Sequence, residues 1–500
     1  MAGIAADIGR DSVPLPMLGT RAVMTTAPGP IGLLKTRRLW PLALAQSCGA
    51  LNDNLVKNAM VVLAIFQLGV GGAGLSALAG ALFIAPYILL SATAGELADR
   101  FPKPRVIVVC KIAEVLLMIG AAVAFVTESV AALLAVLAGL GVQAALFGPV
   151  KYGLLPEHLA EDELVAGNGV IEATTFLSIV CGTVAGGALV LLHHGTAAVS
   201  AAGIGLALLG VFAAVWIPPA PAADPALRIT ANLFAESWRV VRQASAIRPI
   251  WLCILGLSWF WTVGATLMTE FPVVARHTLH SDGSVLTLLL SVFAIGVGVG
   301  SLQCARLLKG DVSPRLVPFA AVGISVFCWD FAASASAAGG LANAAAALSS
   351  FAGWRMIADL FLLAACGGVF SVPLYAIIQD AAAASERSRM IGANNIMNAL
   401  FMVAGAGAAA AFATGGIGAP GVLRITAVAN LLVAVWIALI LTRGVRGGGA
   451  GYGGRSTGAL GAVRGVRAAA GGRDAGLSGG GGGGAVRTVA GDKGGVGDRV

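Results

Sequence analysis

The chain has 500 residues, 58% hydrophobic and 11% charged, with a net charge of +8. A soluble domain carries about 25% charged residues, so lipid must cover most of this surface, which excludes an ordinary soluble enzyme. The cationic excess sits in short loops and at the C-terminal end, so it reads as a topology signal and not as a nucleic-acid footprint. Seven cysteines lie singly in apolar runs without a Cys-x-x-Cys pair. They predict small buried side chains and imply no disulfide framework, metal site or cofactor.

Residues 1–39 form a Pro-, Gly- and Arg-containing N-terminal segment with no apolar h-region, hence no cleavable signal peptide. Twelve segments then follow, each long and apolar enough to cross a bilayer, which takes about 20 residues. They are 40–68, 75–98, 106–127, 131–155, 165–192, 196–217, 249–275, 285–308, 315–336, 355–380, 389–414 and 420–442. The fold class is therefore an all-α membrane protein.

The first segment carries Asn52-Asp53-Asn54-Leu55-Val56-Lys57-Asn58. Asp53 and Lys57 are four apart and share a helical face. Either they pair with each other or they line a polar cavity, because an ionisable residue at a span centre costs about 2.5–3.5 kcal/mol on the insertion scale. Between the second and third segments stands Gly95-Glu96-Leu97-Ala98-Asp99-Arg100-Phe101-Pro102-Lys103-Pro104-Arg105. Gly95 permits close helix approach, and Asp99 suits the positive N-terminus of a neighbouring helix. Arg100 and Lys103 belong to the basic cluster beside it.

The fourth segment ends in Phe147-Gly148-Pro149-Val150-Lys151-Tyr152-Gly153, which predicts a helix break. That break would aim Lys151 inward, unless the lysine snorkels to the interface. The fifth segment has Asn168 and Glu172 four apart, then Thr175. Residues 218–248 open with four prolines, then place Leu233, Phe234, Trp238 and Val241 on one helical face. They suit a short helix lying in the headgroup layer or a solvent-exposed linker helix. Segment seven carries Trp259-Phe260-Trp261 and Glu270, and segment eleven opens with Asn394, Asn395 and Asn398. Residues 443–500 are a Gly- and Arg-rich tail whose composition predicts disorder.

An even span count puts both termini on one side. The loops there carry a series from Lys35 to Arg443 that includes Arg100, Lys103, Arg105, Lys111 and Lys151, against Arg276, Arg355 and Arg424 opposite. The asymmetry predicts cytoplasmic termini.

The Gly95–Arg105 stretch resembles the Gly-x-Leu-x-Asp-Arg signature of the major facilitator superfamily, with Pro102 where that family usually has Gly. The resemblance implies two six-helix halves, 40–217 and 249–442, alternating access, and a motif that latches the halves in one state. Leu308-Lys309-Gly310-Asp311 keeps a degenerate echo of it in the second half.

Leu51–Asn58, Gly148–Pro156, Glu163–Ala173, Ser258–Trp261, Val372–Ala376 and Ala393–Ala399 resemble the bacterial lysophospholipid transporter family, as the transporter module of versions fused to an acyltransferase. This implies an inner-membrane protein, without a cofactor, that flips 2-acyl lysophospholipids of the ethanolamine type to the cytoplasmic leaflet. A carboxylate for the ammonium and a lysine for the phosphate would come from Asp53 and Lys151. Asn54, Lys57, Tyr152, Asn168, Glu172, Trp261, Asn395 and Asn398 complete the expected binding set. The tail has no His-x-x-x-x-Asp motif, so acylation would need a separate acyltransferase; a monomer is expected.

Two rivals remain at this stage. A drug or metabolite exporter would usually show Gly-Pro inside segment five, where Gly182-Thr183-Val184-Ala185-Gly186-Gly187 lacks the proline. A membrane-bound acyltransferase would need an Asp after His193-His194, and none follows at four residues.

Overall fold

The computed structural model describes residues 28–69 and 73–447, so the first 27 residues and the tail beyond Gly447 lie outside the described residues. Twelve long helices run through the described residues: α1 Trp40–Val62, α2 Ala73–Arg100, α3 Lys103–Val126, α4 Val130–His158, α5 Leu164–Val190, α6 Gly195–Val215, α7 Arg248–Val273, α8 Gly283–Leu308, α9 Val317–Ala338, α10 Phe351–Ala381, α11 Arg387–Thr414 and α12 Ala419–Gly447. Eleven of the described helices meet a length-and-hydropathy standard for a membrane span. The exception is α1, whose Asn52–Asn58 block depresses its hydropathy. Its apolar remainder is buried among the other helices.

The helices are capped and interrupted as membrane chemistry permits. Ser129, Asp282 and Ser350 accept from backbone N–H groups at the starts of α4, α8 and α10. The Ser284 hydrogen bonds also hold the exposed Asp282 carboxyl below its ordinary pKa. Prolines lie inside α2, α4, α7 and α10 without ending them. Neighbouring helices satisfy such gaps within a bundle. The expected break at Gly148-Pro149 is therefore a correction: α4 runs unbroken through Pro149 to His158. Gly148 instead lets α11 approach, since a Cβ there would stand 2.6 Å from Asn395 Nδ2. Both α1 and α7 finish in a five-residue π turn, Leu63–Gln67 and Val274–Thr278.

α2 packs on α11 and α5 on α8, joining the first six helices to the last six. A Cβ at Gly95 would lie 2.7 Å from Arg389 Cα, and one at Gly169 would lie 2.5 Å from the Ser301 carbonyl oxygen. Both contacts occur at the end where α2 stops and α11 starts. There Ser91–Asp99 and Ser388–Ala399 are mostly buried, whereas residues 74–90 and 400–414 are mostly part-exposed or exposed. Among the described residues, hydrogen bonds and an ion pair between the two sets join Asp99, Tyr152 and Asn168 to Gln379, Ser388 and Arg389. The bundle is thus closed at the end that receives α1 and releases α12, and its two sets diverge toward the other end.

A short helix, Leu233–Ala246, lies between α6 and α7. Its buried face is Glu236, Val240 and Ala244, while Phe234 and Trp238 are 75% and 72% exposed. Charge sets this orientation. Arg239 donates to Glu236 at 2.6 and 2.8 Å and to Glu96 of α2 at 3.0 Å, and both carboxylates are buried. The bond to Glu236 holds the Arg239 guanidinium above its ordinary pKa, with the charge of Glu96 adding to it. On the same side Arg38 grips Glu163 with two hydrogen bonds of 2.6 and 2.7 Å, which raise the Arg38 pKa. The acidic stretch from the last turn of α4 into the following loop therefore supplies partners for basic residues: Glu157 takes Lys103 and Glu163 takes Arg38.

Candidate substrate-binding site

Asp53 and Lys57 on α1, Lys151 on α4 and Glu172 on α5 bring four ionisable side chains to the middle of the first half. Asp53, Lys57 and Lys151 are part-exposed despite their depth, whereas Glu172 is buried. Among the described residues none of the four forms an ion pair. Asp53 Oδ1 and both Glu172 carboxylate oxygens are buried without a hydrogen-bond partner. Asp53 and Lys57 thus share a face without the mutual ion pair that their spacing allows.

Lys151 Nζ reaches Gln46 Oε1 at 3.3 Å and stands 4.8 Å from the centre of the Tyr152 ring. Gln46 is held in turn by Thr174 and Thr175 of α5, at 2.9 and 3.1 Å. Lys151 is thereby directed into the bundle, not toward an interface.

Aromatic rings close one side of this space. Tyr152 stacks on Tyr375 of α10 at 4.4 Å with an interplanar angle of 4°, and Trp261 Nε1 donates to the Tyr375 hydroxyl at 3.0 Å. Phe176 stacks on Trp261 at 5.8 Å. Asn168 and Gln379 exchange hydrogen bonds of 2.6 and 3.1 Å between α5 and α10, and Gln379 also donates to the Tyr152 carbonyl at 3.1 Å. Asn395 lies against Gly148, and Asn398 accepts from Ser258 at 2.9 Å. Asn54 stands apart: it donates to the Ala50 carbonyl of its own helix at 2.8 Å and packs near Gly182.

At the closed end, Asp99 accepts from the backbone N–H groups of Ser388 and Arg389 at 3.2 and 3.3 Å and from Arg389 Nε at 3.2 Å. These are the first turn of α11, where unpaired N–H groups and the helix dipole favour an anion. Lys103 is fully buried and donates to Glu157, while Arg100 lies over the Phe101 ring.

Lys111 needs correcting. It was expected among the loop cations, yet it lies inside α3, fully buried, and donates to Glu114 at 2.7 Å. Asn52 and Gln143 donate to the same carboxylate at 2.9 and 3.3 Å. Arg355 and Arg424 likewise belong to the second turns of α10 and α12 and not to loops. Sequence reasoning also missed Gln46 and Gln379. A lone glutamine in an apolar segment was the available signal for each.

This architecture, with two six-helix sets meeting around a central polar space, defines a membrane transporter. A family model described as Major Facilitator Superfamily matches residues 42–342, and the chain belongs to that superfamily. Within it the chain groups with lysophospholipid transporters. It is 31% identical over 329 residues to the lysophospholipid transporter LplT of Pectobacterium carotovorum, covering 63% of this chain and 70% of that protein. The LplT of Cronobacter sakazakii is 29% identical over 397 residues, covering 74% and 86%. Among solved structures, the human organic anion transporter MFSD10 superposes with a TM-score of 0.64 at 13% identity, covering 80% of this chain and 99% of that one. A bacterial homologue of the iron transporter ferroportin gives 0.60 at 14%, with the same coverage. At these identities the structural likenesses establish the fold alone.

Proposed function

We propose that the protein carries lysophospholipids of the 2-acyl-glycerophosphoethanolamine type across the bacterial inner membrane to the cytoplasmic leaflet by alternating access. The observation that carries the reading is the central set of unpaired charges. Two acidic side chains, Asp53 and Glu172, and two basic ones, Lys57 and Lys151, come from α1, α4 and α5, and no ion pair joins any two of them. Charges kept in a span mark a substrate pathway, and a zwitterionic headgroup complements both signs.

Lys151 would take the phosphate and Asp53 the ammonium, with Glu172 poised to hold Lys151 between cycles. Tyr152, Trp261, Asn168, Asn395 and Asn398 would shape the walls. The Asp99 contact with the start of α11 would hold the cytoplasmic end shut, with Gly95 allowing the approach and Arg100 and Lys103 flanking it. With both termini cytoplasmic, the space then opens toward the periplasm, where the cargo would enter. A separate acyltransferase would re-acylate the delivered lipid, and a single chain suffices for the cycle.

The test is uptake of labelled lysophosphatidylethanolamine by spheroplasts with and without the protein. Protein-dependent uptake, lost in Lys151→Gln while the variant still reaches the membrane, is the expected result. Equal uptake in cells lacking the protein would overturn the reading.

A further inference from the structure

Far from the central charges, a groove of about 430 Å³ lies between α9 and α12, lined by Trp329, Arg424, Ile425, Val428, Ala429 and Leu432. Arg424 is the one charged residue of that lining. Its guanidinium carbon stands 5.9 Å from the centre of the Trp329 ring, and its Nε is buried without a hydrogen-bond partner. The acidic neighbour of Trp329, Asp330, is engaged by Arg355 at 2.5 Å. The groove surface is thus apolar, with an unpaired guanidinium at its rim near the start of α12, within reach of the headgroup layer.

Its layout along the helix is ordered. Arg424 sits about 8 Å in from the start of α12 at roughly 1.5 Å per residue. Ile425, Val428 and Leu432 follow on one face at helical spacing, so Leu432 lies about 12 Å deeper. Ile425, Val428 and Leu432 are 37%, 48% and 67% exposed. A positive head at the shallow end, followed by an apolar stripe running toward the bilayer centre, is the complement of an amphiphile with an anionic head and an acyl chain.

We propose that this groove is a binding site for an anionic glycerophospholipid in the leaflet at the end of the bundle remote from the Asp99 contact. Arg424 takes the phosphodiester through its guanidinium donors, held beside the Trp329 ring by a cation–π contact. One acyl chain follows Ile425, Val428 and Leu432. No carboxylate lines the groove to hold an ammonium, so a lipid of net negative charge is favoured over a zwitterionic one. The site is separate from the central set: it shares no residue with it and lies wholly on the last six helices.

The test is native mass spectrometry of the full chain released from mild detergent with equimolar phosphatidylglycerol and phosphatidylethanolamine. The parent is expected to retain phosphatidylglycerol at least tenfold more than phosphatidylethanolamine, and Arg424→Gln to abolish that preference. Val428→Trp fills the groove with the arginine intact and is expected to lose the bound lipid as well, which keeps the proposal testable should the arginine variant fail to fold. Quenching by brominated phosphatidylglycerol is expected to exceed quenching by the brominated ethanolamine lipid in the parent, and this excess should vanish in Trp329→Phe. Equal retention of the two lipids by the parent, undiminished phosphatidylglycerol binding in Arg424→Gln or Val428→Trp, or an unchanged quenching excess in Trp329→Phe would each overturn the assignment.

Discussion

Two groups of charges lie close together in the first half of the molecule and are treated in opposite ways. Lys111 and Glu114 are fully buried, hydrogen-bonded to each other, and surrounded by Asn52 and Gln143, which complete the carboxylate's partners. Asp53, one residue along α1 from Asn52, leaves a buried oxygen unpartnered, as Glu172 does with both of its own. The same membrane and the same cost of burying charge apply to both groups. A closed hydrogen-bond network makes a charge part of the scaffold, and an open one leaves it available to something that enters. Charge within a span is thus a weak guide to function until its partners are counted.

The sharpest break in this comparison is Lys111→Met. It strands the Glu114 carboxylate, and losing one partner of a buried ion pair costs about 3–5 kcal/mol. Loss of monodisperse protein is expected in size-exclusion chromatography of the solubilised variant, with recovery in the double variant Lys111→Met, Glu114→Gln. Failure of that recovery would show that the pair does more than support the fold.

Asp53→Asn should do the reverse, sparing the fold and abolishing transport. Loss of one side of a desolvated charge contact costs about 2–5 kcal/mol, so affinity for lysophosphatidylethanolamine is expected to fall roughly 30-fold or more. A ligand without the ammonium, such as lysophosphatidylglycerol, should suffer less. Equal loss for both lipids, with rescue by Asp53→Asn, Lys57→Gln, would move Asp53 into the structural group.

Asp99→Asn comes next. It keeps the shape but removes the charge from hydrogen bonds that are individually worth about 1.5–3 kcal/mol when an ion is involved. Labelling of single cysteines at the two ends of the bundle should show the closed end opening by about tenfold, with substrate affinity little changed. The same labelling pattern in mutant and parent would remove the latch role. The smallest effect expected is none: a chain ending at Gly447 should reach the membrane and transport at the parental rate, because the Gly-rich residues beyond it offer few side chains that pack.

Eleven of the twelve spans were legible because hydropathy is a local property, and α1 was legible by its length despite its polar block. Asp99 was legible as an acceptor for a helix start because the need for an anion there is general. The position of Lys111 was not: a lysine six residues past Arg105 reads as part of the same basic loop. Its buried partner is Glu114, whose carboxylate is completed by Asn52 and Gln143 from two other helices. The unbroken α4 was hidden for a similar reason, since a Gly-Pro pair predicts a break unless neighbours support the gap. The outward-facing Phe234 and Trp238 agree with the apolar face read from spacing, whereas the bond from Arg239 to Glu96 is a long-range contact that no periodicity reveals.

The Asp99 contact also bears on how this protein tolerates mutation. Two of its three hydrogen bonds come from the main chain of α11, at Ser388 and Arg389. Substitution of those side chains leaves the amides in place, and only proline removes a backbone donor outright. The dependence is therefore lopsided: a change at Ser388 leaves its amide donor in place, a change at Arg389 removes only the guanidinium bond, and a change at Asp99 removes all three. A substitution at 99 should accordingly weaken the contact more than one at 388 or 389 does.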